Sequence, residues 1–360
     1  HTEPQGKRER IRQWWSRYIL PAIQVSVVAT LGTLPFLLVH FHRVALIGPL
    51  MNLLIEPFFC FWALPWGLIA IPLVFLFPQA ALLCLKIGGM GLLAGEWFAG
   101  LGSALPYASF WAIRPSNLEI LLYLGLLLLW RFSRNSGDRH HRYHHRYKRK
   151  ILLAGTLFLV LHFTWGLWFP QQPKQSRVTY LDIGQGSSTF LHLPNGERVL
   201  IDAGGNKRSR ANIGEQVIGP YLWQQRIWRL DQAIITHPHS DHFNGMDFLL
   251  THFKPRALYI NGDSHTEGKY NDILAQAQQQ GITVHIPQAG QRISQGPGLS
   301  LDIIGMNGLS KGTLSVNDAS LVVRLVHGQR TFLFPGDITK ESERLLLQAR
   351  QEVQADVLLS

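Results

Sequence analysis

The hydrophobic pattern divides the chain into a first part of long apolar runs and a second part of short alternating runs. The long runs occupy residues 19–39, 57–77, 79–100, 117–132 and 151–169. About 20 apolar residues are enough to cross the hydrocarbon core of a bilayer. Residues 1–170 are therefore predicted to form a multi-pass α-helical membrane domain with about five spans.

Residues 44–56 precede the second run and are predicted to form a short re-entrant or broken helix, because the apolar stretch is too long for one crossing. This segment carries Asn52 and Glu56. Polar and ionisable groups are costly in lipid and commonly face a bundle interior or an aqueous path. Asn52 and Glu56 are therefore candidate channel residues. An ion-paired or end-snorkelling Glu56 is the alternative.

Composition adds a strong charge asymmetry. The net charge is +11, but residues 1–173 hold 16 basic and 6 acidic side chains, whereas residues 174–360 hold 18 and 17. A basic chain can bind nucleic acid, yet this excess flanks the apolar runs, where it sets membrane topology. The charge of the second part therefore gives no support for DNA binding. With two cysteines, Cys60 and Cys84, the chain has no disulfide framework, and the sequence gives no support for a thiolate metal site.

The basic segments also predict an orientation. Residues 7–17 and 131–150 should both be cytoplasmic by the positive-inside rule. Four predicted spans lie between them, so the fifth, 151–169, would export everything that follows. We therefore predict a multi-pass protein of the cell inner (plasma) membrane whose second part is periplasmic or otherwise extracytoplasmic.

After a proline-containing linker at residues 171–177, the pattern of residues 178–360 changes to short β-rich runs separated by turns. Strand-like runs alternate with helical stretches, and strands outnumber helices. This order predicts an α/β sandwich in which helices cover the sheets. The fold class is thus a helical membrane domain followed by an α/β sandwich.

The strongest chemical signal is the segment Thr236-His237-Pro238-His239-Ser240-Asp241-His242, which follows an apolar strand. Residues i and i+2 at a strand end point the same way, so His237 and His239 can hold one metal ion. Asp241 and His242 begin the next element and can turn toward a second ion. Imidazole and carboxylate ligands suit Zn²⁺ or Mn²⁺.

This H-x-H-x-D-H segment resembles the hallmark of the metallo-β-lactamase superfamily, which has an αββα sandwich. Other segments are similar to motifs of the ComEC family of DNA-internalisation competence proteins. They are LDIGQG at 181–186, LIDAGG at 200–205, NDASLV at 317–322, FPGDI at 334–338 and, in the membrane part, LMNLL at 50–54.

The resemblance implies uptake of transforming DNA across the inner membrane. A metal-dependent nuclease or phosphodiesterase domain would degrade the strand that does not enter. It implies two divalent ions, Zn or Mn, with His237 and His239 in site one, Asp241 and His242 in site two, and Asp337 bridging. Asp241 and Asp337 would be the catalytic carboxylates. The implied partners are single-stranded DNA, the lipid bilayer, a DNA receptor and a cytoplasmic ATPase or single-strand-binding proteins, and a homo-oligomer is left open.

Four further residues receive roles next to this centre. Asn317 and Ser320 match the family pattern and are predicted to meet metal or phosphate. Asp202 and Asp182 are predicted to orient a ligand histidine through its second ring nitrogen. A simple turn role is the alternative for both aspartates.

The chain departs from the family pattern in three ways. Ser187 and Ser188 stand where an acidic residue usually follows G-Q-G. No third histidine motif for site one stands out between residues 243 and 336. A later H-H-G-S motif does not follow the final strand. The first residue is not Met, so the chain is expected to be part of a longer protein, with a truncated hydrolase domain and an incomplete second site.

Three alternatives stay open, of which the first follows from these departures. The domain could be a catalytically degenerate module that scaffolds or gates a channel. It could be a membrane-anchored metallo-hydrolase of small molecules such as lactams or thioesters. The membrane part could also transport something other than DNA. Metal analysis, comparison of nuclease with lactam turnover, and transformation of a deletion strain separate these alternatives.

Overall fold

The computed structural model describes residues 3–134, 142–168, 172–205, 211–263, 268–304, 314–349 and 352–359. The chain forms two compact units, His1–Ile120 and Leu121–Ser360. The domain boundaries predicted at residues 170 and 178 stay a prediction.

The first unit is helical, as expected for apolar runs that must satisfy their backbone hydrogen bonds internally. One small antiparallel pair joins strand β1 to strand β2. The elements are α1 (Glu3–Trp14), a π-helix (Trp15–Ile19), α2 (Leu20–His40), β1 (Arg43–Ala45), α3 (Gly48–Glu56), a second π-helix (Pro57–Ala63), α4 (Leu64–Leu76), α5 (Pro78–Ser103) and β2 (Ser109–Trp111).

The structure corrects the predicted separation of residues 44–56 from the following run. Helix α3 passes through the second π-helix directly into α4, so Gly48–Leu76 is one helical run. Pro57 cannot donate a backbone hydrogen bond and would break an α-helix at this point. The wider π turn accommodates the missing bond without ending the helix.

Four helices in the described part of the chain are long and apolar enough to cross a membrane. They are Arg8–His40, Gly48–Leu76, Pro78–Ser103 and Tyr147–Trp168. The fifth predicted span, 117–132, does form helix α6 (Asn117–Arg134), but it carries Glu119, Arg131 and Arg134 and is not among the four. The count of five spans stays a prediction.

Glycines on α5 let it pack closely against the preceding helical run. A Cβ atom at Gly88 would lie 3.2 Å from the Ala63 carbonyl oxygen, and one at Gly91 would lie 2.8 Å from Trp62 Cδ1. At Gly95 an added Cβ would overlap the ring of Phe59. Small residues at such spacing allow close approach of helices in lipid.

Helix α6 begins with a capping box, in which the Ser116 N–H donates to Glu119 Oε2 at 2.6 Å and the Glu119 N–H donates to Ser116 Oγ at 3.3 Å. Helix α7 (Arg142–Trp168) contains the last candidate span. The basic segment 131–150 includes residues 135–141, which lie outside the described residues.

The remainder of the second unit is built on two sheets. The first has the strand order β3-β4-β5-β6-β7-β8, with β5 to β8 parallel. Its strands are β3 (Arg177–Tyr180), β4 (Thr189–His192), β5 (Arg198–Ile201), β6 (Gln232–Ile235), β7 (Ala257–Ile260) and β8 (Thr283–His285). The second has the order β13-β12-β11-β10-β9. Its strands are β9 (Gln291–Gly296), β10 (Leu299–Ile303), β11 (Val323–His327), β12 (Arg330–Phe334) and β13 (Val357–Leu358).

The two sheets face each other across one apolar core. Ile201 and Ile234 of the first sheet and Leu301, Leu325 and Phe334 of the second belong to the same buried cluster. Between the strands lie a π-helix (Gly214–Ile218) and helices α8 (Gly219–Gln224), α9 (Ser240–Phe243), α10 (Met246–Phe253), α11 (Gly268–Gln279) and α12 (Lys340–Gln348).

Helices pack on the outer sides of this sandwich. Leu346 of α12 packs with Val322 and Leu333 at the second sheet. Trp223 of α8 stacks on Phe253 of α10 in the helical layer of the first. Layers of helix, sheet, sheet and helix are the αββα sandwich expected from the sequence.

Candidate metal centre

The histidine-rich segment lies where strand β6 ends. All four residues of β6 are buried, and His237 lies two residues after Ile235, the last residue of the strand. Asp202 follows the neighbouring parallel strand β5 at the same edge. Asp337 arrives from the opposite sheet, just after β12. The carboxyl ends of parallel strands are a common place for binding sites, and this edge gathers the chemistry-bearing residues.

Three side chains converge closely enough to share a metal ion. One ligand atom from each of His237, His242 and Asp337 lies within 4.8 Å of the other two. Nε2 of His237 is 3.9 Å from Asp337 Oδ2, and Nε2 of His242 is 3.3 Å from Asp337 Oδ1. The two carboxylate oxygens therefore face different histidines. Asp337 lies between His237, which is predicted for site one, and His242, which is predicted for site two. This is the position expected of a bridging carboxylate.

In both His242 and His237, a neighbouring side chain contacts Nδ1, the ring nitrogen that does not face Asp337. Nδ1 of His242 lies 2.8 Å from Asp202 Oδ2, and Nδ1 of His237 lies 3.2 Å from Ser320 Oγ. The Thr236 hydroxyl is 3.3 Å from both Nδ1 atoms. When Nδ1 is occupied in this way, the ring orientation is set and Nε2 is presented to a ligand.

The backbone of Asp202 adopts an unfavourable conformation. Its backbone has φ 58°, in the left-handed region that is unfavourable for non-glycine residues. The buried carboxylate accepts hydrogen bonds from the Thr236 N–H at 2.8 Å and the Thr236 hydroxyl at 2.9 Å, besides its contact with His242. Asp202 thus ties the end of β5 to the start of the histidine segment.

Two glycines let the backbone approach this segment. A Cβ atom at Gly204 or Gly186 would overlap the Asp241 carbonyl oxygen. That oxygen accepts a hydrogen bond from the Ser187 N–H at 3.1 Å. The G-Q-G and D-A-G-G motifs therefore meet at the loop carrying Asp241, which is why larger residues do not fit there.

The loop carrying Asp337 is anchored by Asp318, a residue to which the sequence assigned no role. Asp318 Oδ1 accepts from the Thr339 N–H at 2.8 Å and the Thr339 hydroxyl at 2.7 Å, and Oδ2 accepts from Ser315 Oγ at 2.6 Å. Burial acts to raise the pKa of Asp318, but these hydrogen bonds outweigh it and lower the pKa. The sequence feature that could have identified Asp318 is its position within the N-D-A-S motif at residues 317–320.

Charge is distributed unevenly over the three converging groups. Burial tends to lower the pKa of His242, but Asp202 and Asp337 outweigh it and raise the pKa. Burial, reinforced by the neighbouring His242, lowers the pKa of His237. The hydrogen bond from His242 lowers the pKa of Asp337. The centre thus pairs an anionic carboxylate with one basic and one weakly basic imidazole.

The other predicted ligands lie beside this group. Nδ1 of His239 is 3.0 Å from Nε2 of His237, so these two rings do come together as expected. Asp241 is half-buried and engages Ser187 through its carbonyl oxygen. Neither His239 nor Asp241 belongs to the three-residue group, so their roles as ligands stay a prediction.

Three further predicted residues have described contacts. Ser320 is fully buried, and its hydroxyl contacts His237 and donates to the Asn317 carbonyl at 2.6 Å; its contact with metal or phosphate stays a prediction. Asp182 is exposed and accepts the Gly184 N–H at 3.2 Å within a turn, which is the alternative role left open for it. The amide oxygen of Asn317 is buried and has no partner among the described residues, and its role stays a prediction.

The candidate channel residues lie on α3 in the first unit. The Asn52 amide donates to Ser26 Oγ of α2 at 2.9 Å, and Glu56 is exposed one helical turn further along. Their role in a channel stays a prediction.

The donor set fits divalent cations. Two imidazole nitrogens and a carboxylate are the ligands that Zn²⁺ and related ions take in hydrolases. Their second ring nitrogens are already satisfied, and Nε2 of both rings faces the carboxylate. The three converging groups could therefore hold a divalent cation.

Comparison with known proteins agrees with this architecture. Residues 3–136 match the family described as Competence protein, and residues 181–352 match the Metallo-beta-lactamase superfamily. The membership of the second domain in a superfamily of metal-dependent hydrolases agrees with the ligand cluster.

Relatives align over nearly the whole chain. ComE operon protein 3 of Bacillus subtilis is 28% identical over 353 residues, which cover 93% of this chain and 43% of that protein. The uncharacterized protein YcaI of Escherichia coli is 26% identical over 357 residues, covering 95% of this chain and 40% of that protein. The chain thus spans about two fifths of the length of the curated relatives it matches.

A solved metallo-β-lactamase from Cronobacter sakazakii superposes with a TM-score of 0.32 and 19% identity, over 52% of this chain and 78% of that one. The chain thus has a competence protein domain followed by a domain of the metallo-β-lactamase superfamily, and over nearly its whole length it is similar to ComE operon protein 3.

Proposed function

We propose that this chain takes part in the uptake of transforming DNA across the inner membrane, and that its hydrolase domain cleaves phosphodiesters of the strand that is not imported. The observation that carries the proposal is the position of Asp337 between His237 and His242, in a domain that follows a competence protein domain. Single-stranded DNA is the proposed substrate and the extracytoplasmic side the proposed location.

The centre is proposed to hold two divalent cations, Zn or Mn. Bound cations of this kind make water reactive at neutral pH and neutralise charge on a phosphoryl group. His237 and His239 would hold one ion, Asp241 and His242 the other, and Asp337 both. Other DNA-uptake components are proposed partners.

The surrounding residues would orient these ligands. Asp202 and Ser320 fix the two rings from their Nδ1 atoms, and Asp318 holds the loop that carries Asp337. Asn317 has an amide oxygen without a hydrogen-bond partner in the part of the chain that the structure describes, lies close to Ser320, and is the proposed contact to substrate or to an ion. The half-exposed carboxylate of Asp337 marks the side from which DNA would approach.

The test is cleavage of labelled single-stranded DNA by the purified chain in lipid nanodiscs, with Mn²⁺, with Zn²⁺ and after chelation. Asp337→Asn and His242→Ala should lower the rate by more than the 10- to 100-fold typical of groups that only orient a ligand. His239→Ala tests whether His239, a proposed ligand outside the three-residue group, is needed for cleavage. His285→Ala, at an exposed histidine on β8, is the matched control and should retain activity.

The outcome also separates the alternatives. Turnover of a lactam or thioester without cleavage of DNA would assign the domain to small-molecule hydrolysis. Bound metal with no turnover of either substrate, or no bound metal at all, would leave only a scaffolding or gating role. Normal transformation in a strain carrying Asp337→Asn would contradict a requirement for cleavage during import.

A further inference from the structure

A basic cavity lies at the edge of the first sheet opposite the metal centre. It has a volume of about 590 Å³ and is lined by the segments that precede strands β6, β7 and β8. The metal centre lies beyond the carboxyl end of β6, whereas the segments that line the cavity lie before the amino ends of β6, β7 and β8. A four-residue strand is about 13 Å long, so the cavity and the metal centre are separate sites.

The chemistry of the cavity favours an anion. Its described lining contains Arg229, Lys254 and Arg256 and no acidic residue. The Arg229 Nε is buried and has no hydrogen-bond partner among the described residues. Arg256 reaches Asp231 at 3.6 Å but keeps 70% of its side chain exposed. A buried polar donor without a partner costs free energy, and the three basic side chains together would favour an anion as the occupant of the cavity.

The cavity adjoins the end of the last candidate span. Trp228, which lines it, donates its indole N–H to the Leu167 carbonyl oxygen at 3.0 Å. Its ring also meets the ring of Trp168 edge to face, with centroids 6.2 Å apart. Tryptophans concentrate at the interface between membrane and water. The tryptophan contact therefore places the basic cavity at the level where lipid headgroups lie.

We propose that this cavity binds the phosphate of an anionic phospholipid headgroup and so holds the hydrolase domain against the bilayer, with the metal centre directed away from it. DNA is the less favoured occupant because the cavity is on the opposite edge from the metal centre and next to the end of the span. The proposal does not depend on the reaction that the metal centre performs.

The test compares the full chain in nanodiscs of phosphatidylcholine alone with nanodiscs that also contain phosphatidylglycerol. The measurement is the rate at which a neutral amine-reactive reagent modifies Lys254, followed by mass spectrometry. Attraction of about 1 kcal/mol per basic residue near an anionic surface corresponds to about fivefold slower modification when phosphatidylglycerol is present. Lys174, in the segment just after α7 but not in the cavity, reports the general surface potential and should change less.

Two variants make the result specific. Arg229→Gln removes the buried donor, and Arg256→Gln removes an exposed one and should leave folding intact. Either should reduce the excess protection of Lys254 while Lys174 behaves as before. Equal protection of both lysines, or none at Lys254, would overturn the proposal. Protection by single-stranded DNA in phosphatidylcholine nanodiscs, without protection by phosphatidylglycerol, would instead assign the cavity to nucleic acid.

Discussion

The two converging histidines differ in the group that holds their second ring nitrogen. His242 has a buried carboxylate behind it, whereas His237 has a hydroxyl. A carboxylate makes the opposite nitrogen a stronger donor to a metal and fixes the ring more firmly. At the scale of single residues, the centre therefore depends on Asp202 as well as on the groups that would hold a metal.

Replacing Asp202 with Asn tests this dependence. The substitution removes the negative charge behind His242, so metal affinity should fall about 10- to 100-fold. Isothermal titration of the metal-free chain with Zn²⁺ measures the change. Asp182→Asn is the matched control, because that exposed carboxylate only closes a turn and its loss should leave the affinity unchanged. Equal effects of the two substitutions would contradict the role given to Asp202.

Asp318 offers a test through the pH dependence of stability. Its pKa is lowered in the folded chain, so its stabilising contribution is present above the unfolded value of about 3.9 and is lost as pH falls through the folded value. Asp318→Asn should therefore reduce the free energy of unfolding at pH 7 by about 1–3 kcal/mol. Denaturant titration at several pH values measures it.

The comparison between the wild-type chain and this variant should change with pH in one direction. The difference in unfolding free energy should be largest near neutral pH and should shrink below pH 4, as the carboxylate of Asp318 is protonated. A difference that stays constant down to pH 3 would show that the charge of Asp318 is not what anchors the loop.

At the scale of elements, the glycine face of α5 determines how the first unit packs. Gly88, Gly91 and Gly95 each lie against a backbone carbonyl or an aromatic ring of the preceding helical run. Close helix contact in lipid is stabilised mainly by van der Waals packing rather than by exclusion of water. A single added side chain on this face should therefore separate the two helices.

Gly95→Leu should destabilise the first unit, because the new side chain would occupy the position of the Phe59 ring. Overpacking of this kind costs about 1–3 kcal/mol. Thermal unfolding in detergent, followed by tryptophan fluorescence, measures the loss. Gly89→Leu, at a position with open space around its Cα, is the control and should unfold at the wild-type temperature. Indistinguishable transitions for the two variants would argue against this packing.

At the scale of the whole molecule, the side of the membrane on which the hydrolase domain lies depends on one helix. Among the described residues, four helices are apolar enough to span a membrane. The fifth span that the sequence predicts is α6, which carries three charged side chains. With α6 as a span, the hydrolase domain and the N-terminal basic segment lie on opposite sides. Without it, they lie on the same side.

Cysteine labelling decides between these topologies. Lys340→Cys places a thiol at an exposed position of the hydrolase domain, and Arg8→Cys places one in the N-terminal basic segment. With a membrane-impermeant maleimide, intact spheroplasts should label position 340 but not position 8, and lysed cells should label both. Labelling of position 340 only after lysis would contradict an extracytoplasmic hydrolase domain.

The sequence alone determined the features that depend on local period and local chemistry. Runs of about 20 apolar residues form helices in any arrangement of the chain, because lipid requires internal backbone hydrogen bonds. The histidine-rich segment after β6 likewise brings metal-binding groups together within a few residues. These properties do not depend on which distant segment each element meets.

Tertiary structure decided the contacts between residues that are far apart in the chain. Ser320 meets His237 across 83 residues, and Asp202 meets His242 across 40, because strand order brings three loops to one edge. The basic cavity likewise arises only where three loops meet at the opposite edge. A short pattern cannot specify such meetings, since they follow from sheet topology. The same topology places the Ser320 hydroxyl against His237, a contact that the sequence pattern did not predict.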